Sequence, residues 1–137
     1  MHQDPTAHAE IVRRFLANIN DGDLDAAFVD VAPDAALDWS RSDAPDAGVH
    51  RGRDAWRQWV IGRWEGLSEL RFEAAEVIDI PPTEVVLVAH VRGRGPASDL
   101  QTRALGAAVW TLVGGQITQL TLYQTREDAV KAVGLEK

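Results

Sequence analysis

The chain has 137 residues, a formal net charge of −7, 45% hydrophobic residues and no cysteine. One domain spanning residues 1–137 is expected, large enough to bury a core without metal or disulfide help. Disulfides, thiolate catalysis and cysteine-ligated metal sites are excluded, and the acidic balance argues against a nucleic-acid partner.

Asp4 and Pro5 suit a helix start, and Ile11, Phe15 and Ile19, with Val12 and Leu16 beside them, draw one apolar stripe at helical spacing. Asn20-Asp-Gly-Asp23 breaks that helix, and Asp23 opens a short second one burying Leu24, Ala27 and Phe28. Ala35 to Ser40 reads as a strand with Leu37 and Trp39 on one face and Asp38 and Ser40 on the other. Arg41 to Gly52 holds proline, glycines and aspartates and reads as a loop. Arg53 to Trp64 is a third helix, with Trp56, Val60 and Trp64 four apart and Trp59 beside them. Strands follow at Leu70 to Ile80, Val85 to Arg94, Gln101 to Val113 and Gln116 to Gln124. Pro81-Pro82 turns the first pair, and Gly114-Gly115 suits a two-residue hairpin. Thr125 caps a closing helix that Gly134 ends. Helices first and an antiparallel meander after them define an α+β fold. The expected shape is a cone: a strongly curved antiparallel sheet, three helices over a pocket, and a short C-terminal helix. No apolar run approaches the ~18 residues a spanning helix needs, so no membrane partner is expected. The N-terminus lacks the pattern of a secretory signal, so a cytoplasmic location is expected.

Several segments together resemble the SnoaL-like branch of the nuclear transport factor two-like superfamily. They are Phe15-Leu-Ala-Asn-Ile-Asn-Asp-Gly-Asp23, Pro33-Asp34 with Asp38-Trp39, Gly52-Arg-Asp-Ala55, Gly93-Arg-Gly95, Val109-Trp-Thr-Leu112 and Leu122-Tyr-Gln-Thr-Arg-Glu-Asp-Ala129. The resemblance implies a cone-shaped α+β barrel open at its wide end, homodimers through the outer sheet face, and cofactor-free chemistry by polar groups pointing in from the strands. That fold hosts isomerases, polyketide cyclases, epoxide hydrolases and non-catalytic domains, so fold alone does not set activity.

The ketosteroid isomerases of this superfamily carry an aspartate base where this chain places Trp39, with Asp38 one residue earlier. A one-residue step along a strand reverses the face, so Asp38 points out if Trp39 points in. His90, mid-strand with Arg92 on its face, is the preferred general base, and Asp38 is the second choice. The opposing reading puts His90 and Arg92 on the outer face, because Val85, Leu87, Ala89 and Val91 make the more apolar side. Phe15, Trp39, Trp56, Trp59 and Trp110 supply aromatic walls for a flat apolar ligand, or else fill the cone. Given a two-residue turn, Trp110 and Tyr123 share a hairpin face, where the tyrosine hydroxyl could polarise a carbonyl or anchor a dimer. The four histidines (His2, His8, His50, His90) are scattered, so no metal site is expected. Three functions remain open: a cofactor-free isomerase, cyclase or hydrolase on a hydrophobic small molecule, a non-catalytic ligand-binding domain, and a dimerisation module.

Overall fold

The computed structural model describes residues 5–40, 48–65, 68–80, 82–94 and 101–134, with side chains at those positions except 5–7, 62–65, 68–70, 91–94 and 101–105. The expected Asp4 cap and the Pro81 half of the proline turn lie outside the described residues. The chain order is α1 (Pro5–Asn20), α2 (Leu24–Phe28), β1 (Val31–Asp38), β2 (Val49–Arg51), α3 (Arg53–Glu65), β3 (Ser68–Ile80), β4 (Glu84–Arg94), β5 (Gln101–Val113), β6 (Gln116–Tyr123) and α4 (Arg126–Ala132). The six strands form one curved, unclosed sheet in the order β2-β1-β6-β5-β4-β3. Strands β3 to β6 are the expected antiparallel meander, whereas β1 joins β6 in parallel.

Local chemistry accounts for the connections. Gly114 and Gly115 have φ of 62° and 80°, which glycine adopts without steric cost and which the tight β5–β6 hairpin requires. The Asp23 carboxylate accepts from the Ala26 N–H at 3.1 Å, and the Thr125 hydroxyl from the Asp128 N–H at 3.1 Å, so α2 and α4 start where expected. The stripe Ile11, Val12, Phe15, Leu16 and Ile19 is buried against the sheet. Asn20 closes α1 with a second function. Its Nδ2 donates to the Phe72 carbonyl at 2.8 Å and its Oδ1 accepts from the Phe72 N–H at 2.7 Å, so one side chain pairs with edge strand β3 as a neighbouring strand would.

Three departures from expectation have local causes. β1 starts at Val31 rather than Ala35, because Pro33, which has no N–H, sits in an irregularity between the Val31–Ile117 and Ala36–Gln119 pairs. A three-residue strand, β2, lies inside the expected loop; its Leu37–His50 pairing is held by Trp39 N–H to Gly48 O and Gly52 N–H to Ala35 O, both 2.8 Å. The pairing of β5 with β6 slips between Thr111–Gln119 and Leu112–Ile117, leaving Thr118 as an extra residue whose hydroxyl donates to the Thr111 carbonyl at 3.2 Å. A bulge of this kind reverses the facing of everything beyond it.

The sheet is apolar on both sides. The helix-covered face carries the main core. The outer face buries Val86, Val88, Ala107 and Val109 with Ala129 of α4, and Tyr123, Ile78 and Val133 pack at the margin. α4 is tied down by a bidentate pair in which Arg126 donates to Glu76 at 2.7 and 3.1 Å. That guanidinium holds the Glu76 carboxyl below the usual carboxylate range, first through the hydrogen bonds and then through its charge.

Candidate functional site

Registers place the inner-face residues in rows across the sheet. One row runs His50, Leu37, Leu120, Trp110 and Val85; the next includes Leu122, Ala108, Leu87 and Val77; the third holds Gly106, Ala89 and Ala74. The two ends of the cone differ because those rows differ in bulk. The first row is packed solid. Trp110 is 2% exposed and Trp56 1%, and Phe15 has ring centroids 5.3 Å from Trp110, 5.7 Å from Trp56 and 5.6 Å from Phe28. Leu37, Val85, Leu112 and Ile117 have no exposed surface. Each tilted or edge-on aromatic contact adds about 0.5–1.5 kcal/mol beyond area burial, so this cluster is the anchor of the domain. Phe15, Trp56 and Trp110, expected as ligand walls, form the plug of the narrow end.

The third row is the opposite case. Glycine and alanine leave the sheet surface bare, and a Cβ built on Gly106 meets no described atom within 4 Å. Ala89 and Ala108 are 6% exposed, while Leu122, Phe72 and Val77 are half-buried at the margin of the core. Trp39 and Trp59 stand at the corner of β1 and α3, both half-buried, with rings edge-to-face at 5.3 Å and 66°. The small-residue row at Gly106, Ala89 and Ala74, with half-buried Leu122, Phe72 and Val77 near it, is the candidate site.

The expected acid–base groups fall elsewhere. His90 is exposed and lies opposite Glu73 in β3, on the same face as Val86 and Val88. The strand turned Val85, Leu87 and Ala89 toward the helices because that side is wholly apolar, and this corrects the reading of His90 as an interior base. Asp38, one step from inward-facing Leu37, pairs with Thr121 and accepts hydrogen bonds from the Ser40 N–H, at 2.9 Å, and from the Ser40 hydroxyl. Its carboxylate serves the strand end rather than the hollow. Trp110 and Tyr123 do not share a face. The Thr118 bulge puts Leu120 and Leu122 inward with Trp110 and sends Tyr123 out to α4. There Tyr123, Gln124, Asp128, Lys131 and Ala132 line an open groove of about 490 Å³, outside the cone. The side chains of Arg92 and Trp64 lie outside the described residues.

Two inward-facing residues carry little signal in the sequence. Gly106 lies within a long strand, where glycine marks an open approach; its inward facing was the missing information. His50 lies in the segment expected as loop, where alternation carries no signal, yet it belongs to β2. Val49 and Arg51 are exposed and His50 is not, which turns the imidazole to the covered side. Its Nε2 and the Trp110 Nε1 are sealed from solvent with no hydrogen-bond partner among the described residues. Among the described residues no three histidine or acidic side chains gather as a metal-holding cluster, and no helix is long and apolar enough to cross a membrane.

The SnoaL-like domain family matches residues 12–120, and the chain belongs to that family. No significant match is found among curated proteins. Among solved structures it is similar to Bal32a from a soil-derived mobile gene cassette, at TM-score 0.76 and 19% identity over 88% of this chain and 91% of that one. A protein from Catenulispora acidiphila with a ketosteroid isomerase-like fold, in complex with trimethylamine, aligns at 0.73 and 16% over 93% and 94%. RV0760c of Mycobacterium tuberculosis, in complex with estradiol-17beta-hemisuccinate, aligns at 0.75 and 14% over 90% and 96%. At these identities the likeness establishes the cone fold and not a shared ligand.

Proposed function

We propose that this chain binds an apolar, ring-bearing small molecule in the hollow above Gly106, against Trp39 and Trp59. The observation that carries the reading is the open space at Gly106 on the helix-covered face of a sheet that is otherwise densely packed. A site of this kind takes its affinity from apolar burial and its orientation from a few polar groups. The steroid ester bound by the structurally similar RV0760c is a ligand of that chemistry. Binding is favoured over catalysis because the two acid–base candidates do not converge: His90 is on the outer face and Asp38 is engaged by Ser40. Proton transfer needs at least two polar groups within reach of one substrate position. A homodimer through the outer sheet face would use the part of that face which α4, packed on Val86, Val88, Ala107 and Val109, leaves uncovered.

Titration of intrinsic tryptophan fluorescence with a panel of steroids, aromatic polyketides and terpenoid epoxides tests the reading. Saturable quenching by at least one member, lost in a Trp59→Leu variant of unchanged melting temperature, is the expected result. A flat response across the panel removes it.

A further inference from the structure

We infer that α4 is an exchangeable strap: two copies of this chain associate by each laying its α4 across the outer sheet face of the other. The partner is a second copy, and the surface is the apolar strip of Val86, Val88, Ala107 and Val109 that α4 covers in its own chain. Nothing in this exchange depends on a ligand in the cone.

α4 is lightly held where it lies. Seven residues are too few for a stable helix in isolation, so α4 keeps its shape only while docked. Of those residues only Ala129 is buried, and Val133 just beyond the helix packs at the margin. The open groove lined by Tyr123, Gln124, Asp128, Lys131 and Ala132 runs along one flank, so the helix is not packed on that side. A further tie is the pair between Arg126 and Glu76, which reaches from the start of α4 to β3. Its side chains are 46% and 40% exposed, and exposed pairs contribute little and yield to salt.

The strip beneath is the opposite. Val86 has no exposed surface, and Val88, Ala107 and Val109 are at most 5% exposed. When α4 lifts, this strip meets water at a cost that scales with its apolar area. A second copy in the same state carries the piece that fits, because the helix contacts are the same within one chain or between two. Exchange then costs only the entropy of association, and concentration decides between the two arrangements. β6 ends at Tyr123 and α4 starts at Arg126, so Gln124 and Thr125 are the whole hinge. A hinge that short has little slack for folding back, a condition that favours exchange. The uncovered part of each outer face stays available for contact between the same two copies.

Charge reversal across the strap tests the exchange. Glu76→Arg sets two arginines together in a closed chain, and Arg126→Glu sets two glutamates together. Mixed one to one, the two variants can restore opposite charges at both positions only by exchanging α4. Sedimentation equilibrium at low salt should show the mixture associating roughly ten-fold more tightly than either variant alone, the effect of turning two exposed repulsions into attractions. The double variant Glu76→Arg/Arg126→Glu regains the pair within one chain and should behave as wild type. Contact is read separately. The chain has no cysteine, so Glu76→Cys and Arg126→Cys chains, incubated together and oxidised, should give the mixed disulfide in excess over either self-disulfide. Equal association of the mixture and the single variants overturns the exchange. Tighter association of the mixture without an excess of the mixed disulfide also overturns it, and assigns the dimer to general attraction between oppositely altered surfaces.

Discussion

Replacing Gly106 with leucine asks whether the hollow is open and whether ligands use it. The φ of Gly106 lies outside the left-handed region, and its added Cβ would meet no described atom within 4 Å. Removing a glycine from a strand recovers about 0.5–1 kcal/mol of unfolded-state entropy. Partial burial of the new side chain adds roughly 1 kcal/mol more, about half of what full burial of a leucine gives. The melting temperature should therefore rise by about 3–6 °C for a chain of this length. Ligand binding should move the other way. Four side-chain carbons displace about as many ligand carbons, at roughly 0.8 kcal/mol each, so affinity should fall on the order of a hundred-fold. Thermal denaturation followed by circular dichroism reads the first effect, and calorimetric titration with a panel ligand reads the second. If the space is instead filled, overpacking costs about 1–3 kcal/mol and the melting temperature falls. A fall in melting temperature with ligand affinity unchanged refutes the open-hollow argument.

Further expectations concern the frame around the site. Asn20→Ala removes both hydrogen bonds to Phe72 and leaves two half-buried backbone groups on edge strand β3 without them. A loss of about 2 kcal/mol in urea unfolding is expected, with Asn20→Asp intermediate because a carboxylate can accept from the N–H but cannot donate to the carbonyl. Arg126→Ala should loosen α4 most visibly near neutral pH and low salt. The folded-state pKa of Glu76 is depressed, so the stabilisation from this pair is present above the pH where unfolded glutamate titrates and fades as pH falls through the folded value. Amide exchange in α4 should thus converge between wild type and variant in acid, and also in high salt, since the pair is exposed. His90→Ala should leave ligand affinity unchanged and melting within about 0.5 kcal/mol of wild type, as an exposed outer-face residue allows; a ten-fold loss of affinity would return His90 to the site.

Much of the frame was legible in residue order. The stripe from Ile11 to Ile19, the Asp23 and Thr125 caps, the Gly114-Gly115 turn and the alternation of Val85 to His90 act through neighbours within a few positions, where spacing alone carries the signal. The family resemblance rested on the same segments and fixed the cone.

The interior of that cone was decided by contacts that spacing does not encode. Extended backbone reverses facing with each residue, so one extra residue at Thr118 exchanged the sides of Tyr123 and Leu122, and Pro33 concealed the start of β1. Only the pairing of β2 with β1 could reveal that His50, in a segment of proline and glycine, turns inward opposite Leu37. Only the closing of α1 and α3 over the sheet could sort Trp56 and Trp110 into a buried plug and set Trp39 against Trp59 as a half-buried pair. Local propensity determined which residues form elements; long-range packing determined which of their faces meet.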